Sequence, residues 1–149
     1  MDIESTYMGV AGRLSNFEKR AFTFDGVKCN SMEGLLQAFK QSDSSRQKEI
    51  CLMSGGEAKR MGNKDWRATQ TLWWDGIAYK RQSPCYQILL DRAYDALATN
   101  GGFRTDLLST VDAPLTHDIG GSNTRTTILT EKEFCNRLMK IRDRISHEA

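Results

Sequence analysis

The sequence predicts a mostly α (α+β) fold, a single helical domain carrying a small β-hairpin. Three observations predict it. Apolar residues recur at helical spacing in separate segments, most plainly over 32–39, 86–97 and 134–145. The pair Asp25-Gly26 lies between two short β-prone runs, the signature of a hairpin with a two-residue turn. Finally, the 149 residues include only two prolines, Pro84 and Pro114, and no low-complexity stretch, so there is one core and no room for a long linker.

The elements follow in order. Residues 7–17 read as a glycine-containing loop, followed by the hairpin over 21–29. In the segment 30–40, Met32, Leu35, Leu36 and Phe39 fall at i, i+3, i+4 and i+7 and make a buried stripe, while Glu33, Gln37 and Lys40 share the other side. Two further helical pieces, 44–53 and 55–61, are separated at Ser54-Gly55-Gly56. The stretch 62–83 shows no clear period, yet it holds all the tryptophan: Trp66, Trp73 and Trp74. Ser83-Pro84 opens a helix with an N-cap and a proline at its first position. Tyr86, Leu89, Leu90, Ala93, Tyr94 and Leu97 carry that helix until Asn100-Gly101-Gly102 stops it. A short helix is expected over 103–110, an extended segment over 111–118 and a polar loop over 118–130. Thr130 and Glu133 form a capping box for a last helix built on Phe134, Leu138, Ile141 and Ile145.

Composition limits function. A formal charge of +2 excludes a strongly cationic nucleic-acid coat, so contact with a polyanion requires a local patch. No apolar run approaches the roughly 20 residues of a membrane span. The first residues lack a basic start and an apolar stretch, so a soluble cytoplasmic protein with no membrane partner is expected. Cys29, Cys51, Cys85 and Cys135 show no C-x-x-C spacing, and the chain has two histidines, His117 and His147. Reduced, buried or half-buried thiols are expected, with no metal site.

Several residues invite a chemical reading beside a structural one. Glu33 sits in the first turn of a short amphipathic helix, where a carboxylate can orient water, act as acid or base, or stabilise a cationic transition state. It equally completes a capping box with Asn30. Asn16 and Phe17 can read an amide edge and pack against it, or be a loop residue and a core anchor. Trp73 and Trp74 are adjacent, so one enters the core while the other is free to stack on a planar ligand. Asp118 precedes Gly120, Gly121, Ser122 and Asn123, a loop whose amides can cradle phosphate or simply face solvent. Arg137, Lys140, Arg142 and Arg144 are interspersed with acids and read as a solvated face.

The order of these pieces resembles the NADAR superfamily of small N-glycosidase-like domains, which includes riboflavin-intermediate N-glycosidases. The resemblance is carried by residues 12–17 (GRLSNF) and the hairpin at Asp25-Gly26. Residues 31–40 (SMEGLLQAFK) are similar to the family's S-x-E-H-x-x-Q-A-x-K helix, and 58–62 (AKRMG) to its A-x-x-x-G segment. Trp73 falls near the family's central tryptophan, and residues 107–110, Asp118 and 138–142 echo later landmarks. Together they span about residues 9 to 145.

The resemblance implies hydrolysis of the bond between ribose C1′ and a nitrogen, in an ADP-ribosylated guanine or nucleotide, free or within a nucleic acid, or in a phosphoribosyl-amino-pyrimidine of riboflavin synthesis. It assigns Glu33 the electrostatic or base role and makes Asp118 the candidate second carboxylate. Trp73 would stack on the released ring, Asn16 and Phe17 would frame the sugar, and Gln37 and Lys40 would hold hydroxyls or phosphate. No metal or redox cofactor is required. The alternatives are a non-catalytic domain that binds ADP-ribose or an NAD-like nucleotide, and a helical interaction domain in which Glu33 merely caps its helix. Three departures stand out: Gly34 replaces the family's histidine, the late W-G pair is missing, and so is the G-x-N-x-L-G signature before the last helix. The last two fall in the second half of the site, where either the substrate differs or the domain only binds, and a phage or mobile-element lineage fits such divergence.

Overall fold

The computed structural model describes residues 1–148. The expected hairpin is β1 (Phe22–Phe24) and β2 (Val27–Cys29), antiparallel with Phe22 opposite Cys29. Asp25 and Gly26 have φ of 48° and 79°, as a two-residue turn with both centres left-handed requires. A second hairpin, β3 (Thr71–Trp74) and β4 (Ile77–Lys80), lies in the stretch that showed no period. It turns the same way on Asp75 (48°) and Gly76 (80°). Adjacent tryptophans on a strand point to opposite faces, so Trp74 is buried and Trp73 half-buried. Trp74 packs on Phe24 and Phe39 with ring centroids 5.2 and 5.7 Å away, and its Nε1 donates to Asp25 Oδ2 at 2.9 Å. One indole therefore joins the two hairpins.

The α+β architecture, dominated by helices, is the predicted one. A one-turn helix, α1 (Val10–Arg13), occupies part of the expected opening loop. The helix that carries Glu33 is α2 (Met32–Ala38). Its cap is Ser31 rather than Asn30: Ser31 Oγ accepts from Gly34 N at 3.0 Å and donates to the Met53 carbonyl at 2.8 Å. Asn30 instead donates from Nδ2 to the Leu52 carbonyl at 2.9 Å. The expected Asn30–Glu33 capping box is absent, and Glu33 is free to point elsewhere. The predicted stripe of Met32, Leu35, Leu36 and Phe39 is buried, but so are Glu33 and Gln37, so α2 is a central helix covered on all sides.

Gly34 explains one departure from the family pattern. A Cβ there would lie 2.7 Å from the Ile50 carbonyl oxygen and 2.8 Å from that of Met53. The position faces α3 (Ser44–Cys51), and only a glycine lets α2 settle onto the end of that helix. Next come α4 (Gly55–Arg60), whose N-cap is Ser54, and the single turn α5 (Trp66–Thr69).

Helix α6 (Pro84–Leu97) begins as predicted, with Ser83 Oγ accepting from Tyr86 N at 3.3 Å. The glycines expected to stop it instead open α7 (Gly101–Ser109), because Asn100 Oδ1 accepts from Phe103 N at 2.9 Å. Residues 111–118 add only one bridge, Thr116 parallel to Asp2. The last helix, α8 (Glu131–Ser146), has the predicted capping box, with bonds of 3.1 and 2.8 Å between Thr130 and Glu133. Its basic residues are not a plain solvated face: Arg142 is buried and bonds Thr110 Oγ1 and the Ala113 carbonyl at 2.8 and 2.7 Å.

Arg81 is the largest fully buried polar side chain, at 1% exposure. Its guanidinium makes bonds of 3.1 and 2.6 Å to Glu133 and stacks 5.0 Å from the Tyr86 ring centroid, while its Nε donates to the Thr127 carbonyl at 3.0 Å. A buried charge is tolerable only when paired like this. It fixes the loop 126–129 against α6 and α8. Among the described residues no helix is long and apolar enough to cross a membrane. The four cysteines are free, with Cys85 exposed and the others buried. Burial pushes the Cys135 thiol up to about 11, and the Cys29 thiol beside Cys51, together with burial, raises that group further, which disfavours the nucleophilic thiolate at both.

Candidate functional site

A cavity of about 520 Å³ opens between α2, the segment 15–17, the region of α4 and α5, and the loops 117–121 and 126–129. Glu33 lies in its floor. The Glu33 backbone N–H donates to the Asn16 carbonyl at 3.0 Å, and Asn16 Oδ1 accepts from the buried Tyr94 hydroxyl at 2.8 Å. Helix α2 is thereby clamped to the wall that carries Phe17.

One turn further along α2, Gln37 Nε2 donates to Glu33 Oε1 at 2.7 Å. The other end of that amide, Oε1, is buried without a protein partner. It is pressed toward Gly62, where a Cβ would come within 2.2 Å of Gln37 Oε1 and 3.2 Å of Lys40 Nζ. Glycine at 62 thus leaves open the space that the amide and the ammonium both border. An unpaired buried acceptor beside an ammonium is a place for a ligand donor or a water.

The charges of the cavity are asymmetric. Glu33 is its one carboxylate, whereas Lys40, Lys59, Lys64 and Arg67 are cationic. Lys59, Lys64 and Arg67 are exposed, and the Lys59 ammonium stands 5.8 Å from the centroid of Phe17. Burial raises the Glu33 pKa above the ordinary carboxylate range, opposed by the Gln37 hydrogen bond and by Lys40 and Lys59. Burial lowers the Lys40 pKa, opposed by the Glu33 charge. Groups of opposite sign, each perturbed by burial and facing one cavity, make this the candidate functional site.

Of the residues singled out from the sequence, Asn16, Phe17, Glu33, Gln37 and Lys40 come together here. Trp73 and Asp118 do not line the cavity. Trp73 is held on β3, its backbone N–H donating to the Phe39 carbonyl at 2.8 Å. The indole in the cavity wall is that of Trp66, on a helix too short to show a period. Asp118 is exposed, its backbone N–H donating to Asp2 Oδ1 at 2.8 Å, and the neighbouring residue His117 lines the cavity instead. Gly120 and Gly121 reach the wall as the glycine loop had allowed. The mouth cations Lys59, Lys64 and Arg67 carried no sequence signal beyond the 58–62 segment near them. Among the described residues no cluster of His, Cys, Asp and Glu side chains could hold a metal ion.

This backbone matches that of the Escherichia coli protein YbiA, determined by NMR, with a TM-score of 0.62 over 94% of this chain and 83% of that one. At 20% identity the likeness is one of fold, and YbiA is a NADAR-family protein. The shared architecture is an α+β domain dominated by helices. The chain belongs to the family of bacteriophage protein GP30.3, whose model matches residues 8–143. It is also 35% identical, over 147 residues, to an uncharacterized 17.1 kDa protein in the Gp30–rIII intergenic region of Enterobacteria phage T4, covering 96% of this chain and 97% of that one.

Proposed function

We propose that the chain is a hydrolase of N-glycosyl bonds, cleaving ribose C1′ from a nitrogen in an ADP-ribosylated base or nucleotide or in a phosphoribosyl-amino-pyrimidine. The observation that carries this reading is Glu33: a single buried carboxylate in the floor of a cavity whose mouth is cationic. As the C1′–N bond lengthens, positive charge builds on the ribose ring. A buried carboxylate is poorly solvated, so that growing charge is worth more to it than the neutral ground state is. The favourable interaction is thereby concentrated in the transition state. The same carboxylate takes the proton of the attacking water.

The other residues position the substrate. Gln37 Oε1 accepts from a ribose hydroxyl while its Nε2 keeps Glu33 aimed. Lys40 and the mouth cations Lys59, Lys64 and Arg67 take phosphate oxygens. Trp66 and Phe17 supply apolar faces for the sugar and the base. None of these roles calls for a metal or a redox cofactor. The exposed position of Asp118 favours a second reading, a nucleotide-binding domain that does not turn over, because Glu33 then stands without a second carboxylate.

The experiment is chromatographic and mass-spectrometric detection of free base and free sugar phosphate after incubation with an ADP-ribosylated guanosine nucleotide, NAD and phosphoribosyl-amino-pyrimidines. Wild-type turnover, with a loss of about 100-fold or more in Glu33→Gln, supports the hydrolase. Saturable binding with no product after long incubation supports the binder. Full turnover in Glu33→Gln refutes the assignment of the carboxylate.

A further inference from the structure

Hydrolysis of a C1′–N bond needs two things: a group that offsets charge on the ribose, and a proton for a nitrogen that otherwise departs as an anion. Glu33 supplies the first. The second group belongs on a different wall, since Glu33 faces the sugar and the water.

His117 occupies such a wall. His117 lines the cavity from the loop that follows Thr116, whereas Glu33 comes from α2. Imidazole Nδ1 lies 2.6 Å from the carbonyl oxygen of Ile3. A carbonyl only accepts, so Nδ1 carries hydrogen, and Nε2 is the nitrogen left to exchange a proton. Among the described residues Nε2 has no hydrogen-bond partner. The ring is held edge-on to Phe134, which also lines the cavity, with centroids 5.4 Å apart and planes at 78°. Gly120 makes room for it: a Cβ at that position would lie 2.6 Å from His117 Cδ2. A fixed tautomer, a seated ring and a free second nitrogen are what a proton-transfer imidazole requires.

We infer that His117 is a catalytic residue whose Nε2–H protonates the departing nitrogen. The inference rests on the hydrolase reading above. In the step, the C1′–N bond breaks with its electron pair going to nitrogen, and the Nε2 proton of the imidazolium goes to that nitrogen. The Ile3 carbonyl accepts from Nδ1–H throughout and stabilises the cationic ring. Water oxygen bonds C1′ and its proton passes to Glu33, so the cycle ends with Glu33 protonated and His117 neutral. Transfer of one proton between them through solvent restores the start.

The test is His117→Ala and His117→Gln assayed on the ADP-ribosylated guanosine nucleotide and a phosphoribosyl-amino-pyrimidine, with folding checked by circular dichroism. Both variants should lose about 100- to 10,000-fold in kcat. Added imidazole should restore much of the loss in His117→Ala, which leaves space for it, but not in His117→Gln. Nitrogen-15 NMR of the wild type should place the neutral-ring proton on Nδ1. Turnover within threefold of wild type in either variant, a loss in His117→Ala that imidazole does not touch, or a ring protonated on Nε2 alone overturns the inference while the hydrolase reading stands. If the wild type cleaves neither substrate, the reading fails and the proton-delivery role falls with it.

Discussion

Gly34→Ala sets two local effects against each other. On helix propensity alone, replacing an internal glycine with alanine stabilises a helix by about 1 kcal/mol. The new methyl, however, would stand 2.7 Å from the Ile50 carbonyl oxygen, 2.8 Å from that of Met53 and 3.2 Å from that of Cys51. These are backbone atoms, so no side-chain rotation relieves the overlap, and α2 must move off the end of α3. Overpacking of this kind costs about 1–3 kcal/mol. The shift also stretches three bonds that tie 30–31 to the same helix end: Asn30 N to Cys51 O at 2.9 Å, Asn30 Nδ2 to Leu52 O at 2.9 Å and Ser31 Oγ to Met53 O at 2.8 Å. Each is worth about 1 kcal/mol, and losing one of them cancels the propensity gain. The net expectation is destabilisation by about 1–3 kcal/mol, a fall in Tm of roughly 3–10 °C for a domain of this size. Differential scanning calorimetry at neutral pH measures it. A Tm equal to or above that of the wild type would refute the account of why glycine occupies this position.

Other perturbations test the site and its supports. Glu33→Gln should change the pH profile of stability as well as turnover. Because the folded pKa is raised, the ionised carboxylate costs stability that is absent below the ordinary glutamate range and grows as pH rises through the raised value. The stability of the variant relative to wild type should therefore increase as pH rises above the ordinary glutamate range of about 4, and thermal melts showing no such trend would contradict the burial argument. Arg81→Met should cost about 3–5 kcal/mol in urea unfolding, because it leaves Glu133 half-buried and unpaired. Burial acts to raise the Glu133 pKa, but the hydrogen bonds from Arg81 and Gln87 outweigh it and hold the group low. Wild-type stability from this group is present above the ordinary glutamate range and lost as pH falls below it, a loss the variant should show far more weakly. Trp66→Leu should weaken ADP-ribose binding about 5- to 100-fold by calorimetry if the indole stacks on the base. Trp73→Leu should leave that affinity within about twofold, and an equal loss in both would return the stacking role to Trp73.

Much of the scaffold was legible in the residues because it is set by local chemistry. Asp25-Gly26 reads as a turn because both positions tolerate positive φ, and Thr130 with Glu133 reads as a cap because the partners are three residues apart. The helical stripes of α2, α6 and α8 follow from a period that any amphipathic helix must keep. The second hairpin carried the same Asp-Gly signal at 75–76 and was missed because Leu72, Trp73 and Trp74 do not alternate in polarity. Asn100-Gly101-Gly102 fits a helix stop and a helix start equally well, and only the bond from Phe103 to Asn100 decides between them.

The site divides along the same line. Chain order by itself determined which residues ride together on one helix, so Glu33, Gln37 and Lys40 were legible as a set. Tertiary structure decided what that face looks at. Asn30 turns away to the end of α3 and Ser31 takes its place as cap, which frees the Glu33 carboxylate for the cavity. Whether Trp66 or Trp73, and His117 or Asp118, reaches the cavity depends on strand register and on the path of a loop pinned at Ile3, Arg81 and Tyr86. Those anchors are distant in sequence, and their geometry is fixed by how the core packs rather than by any local pattern.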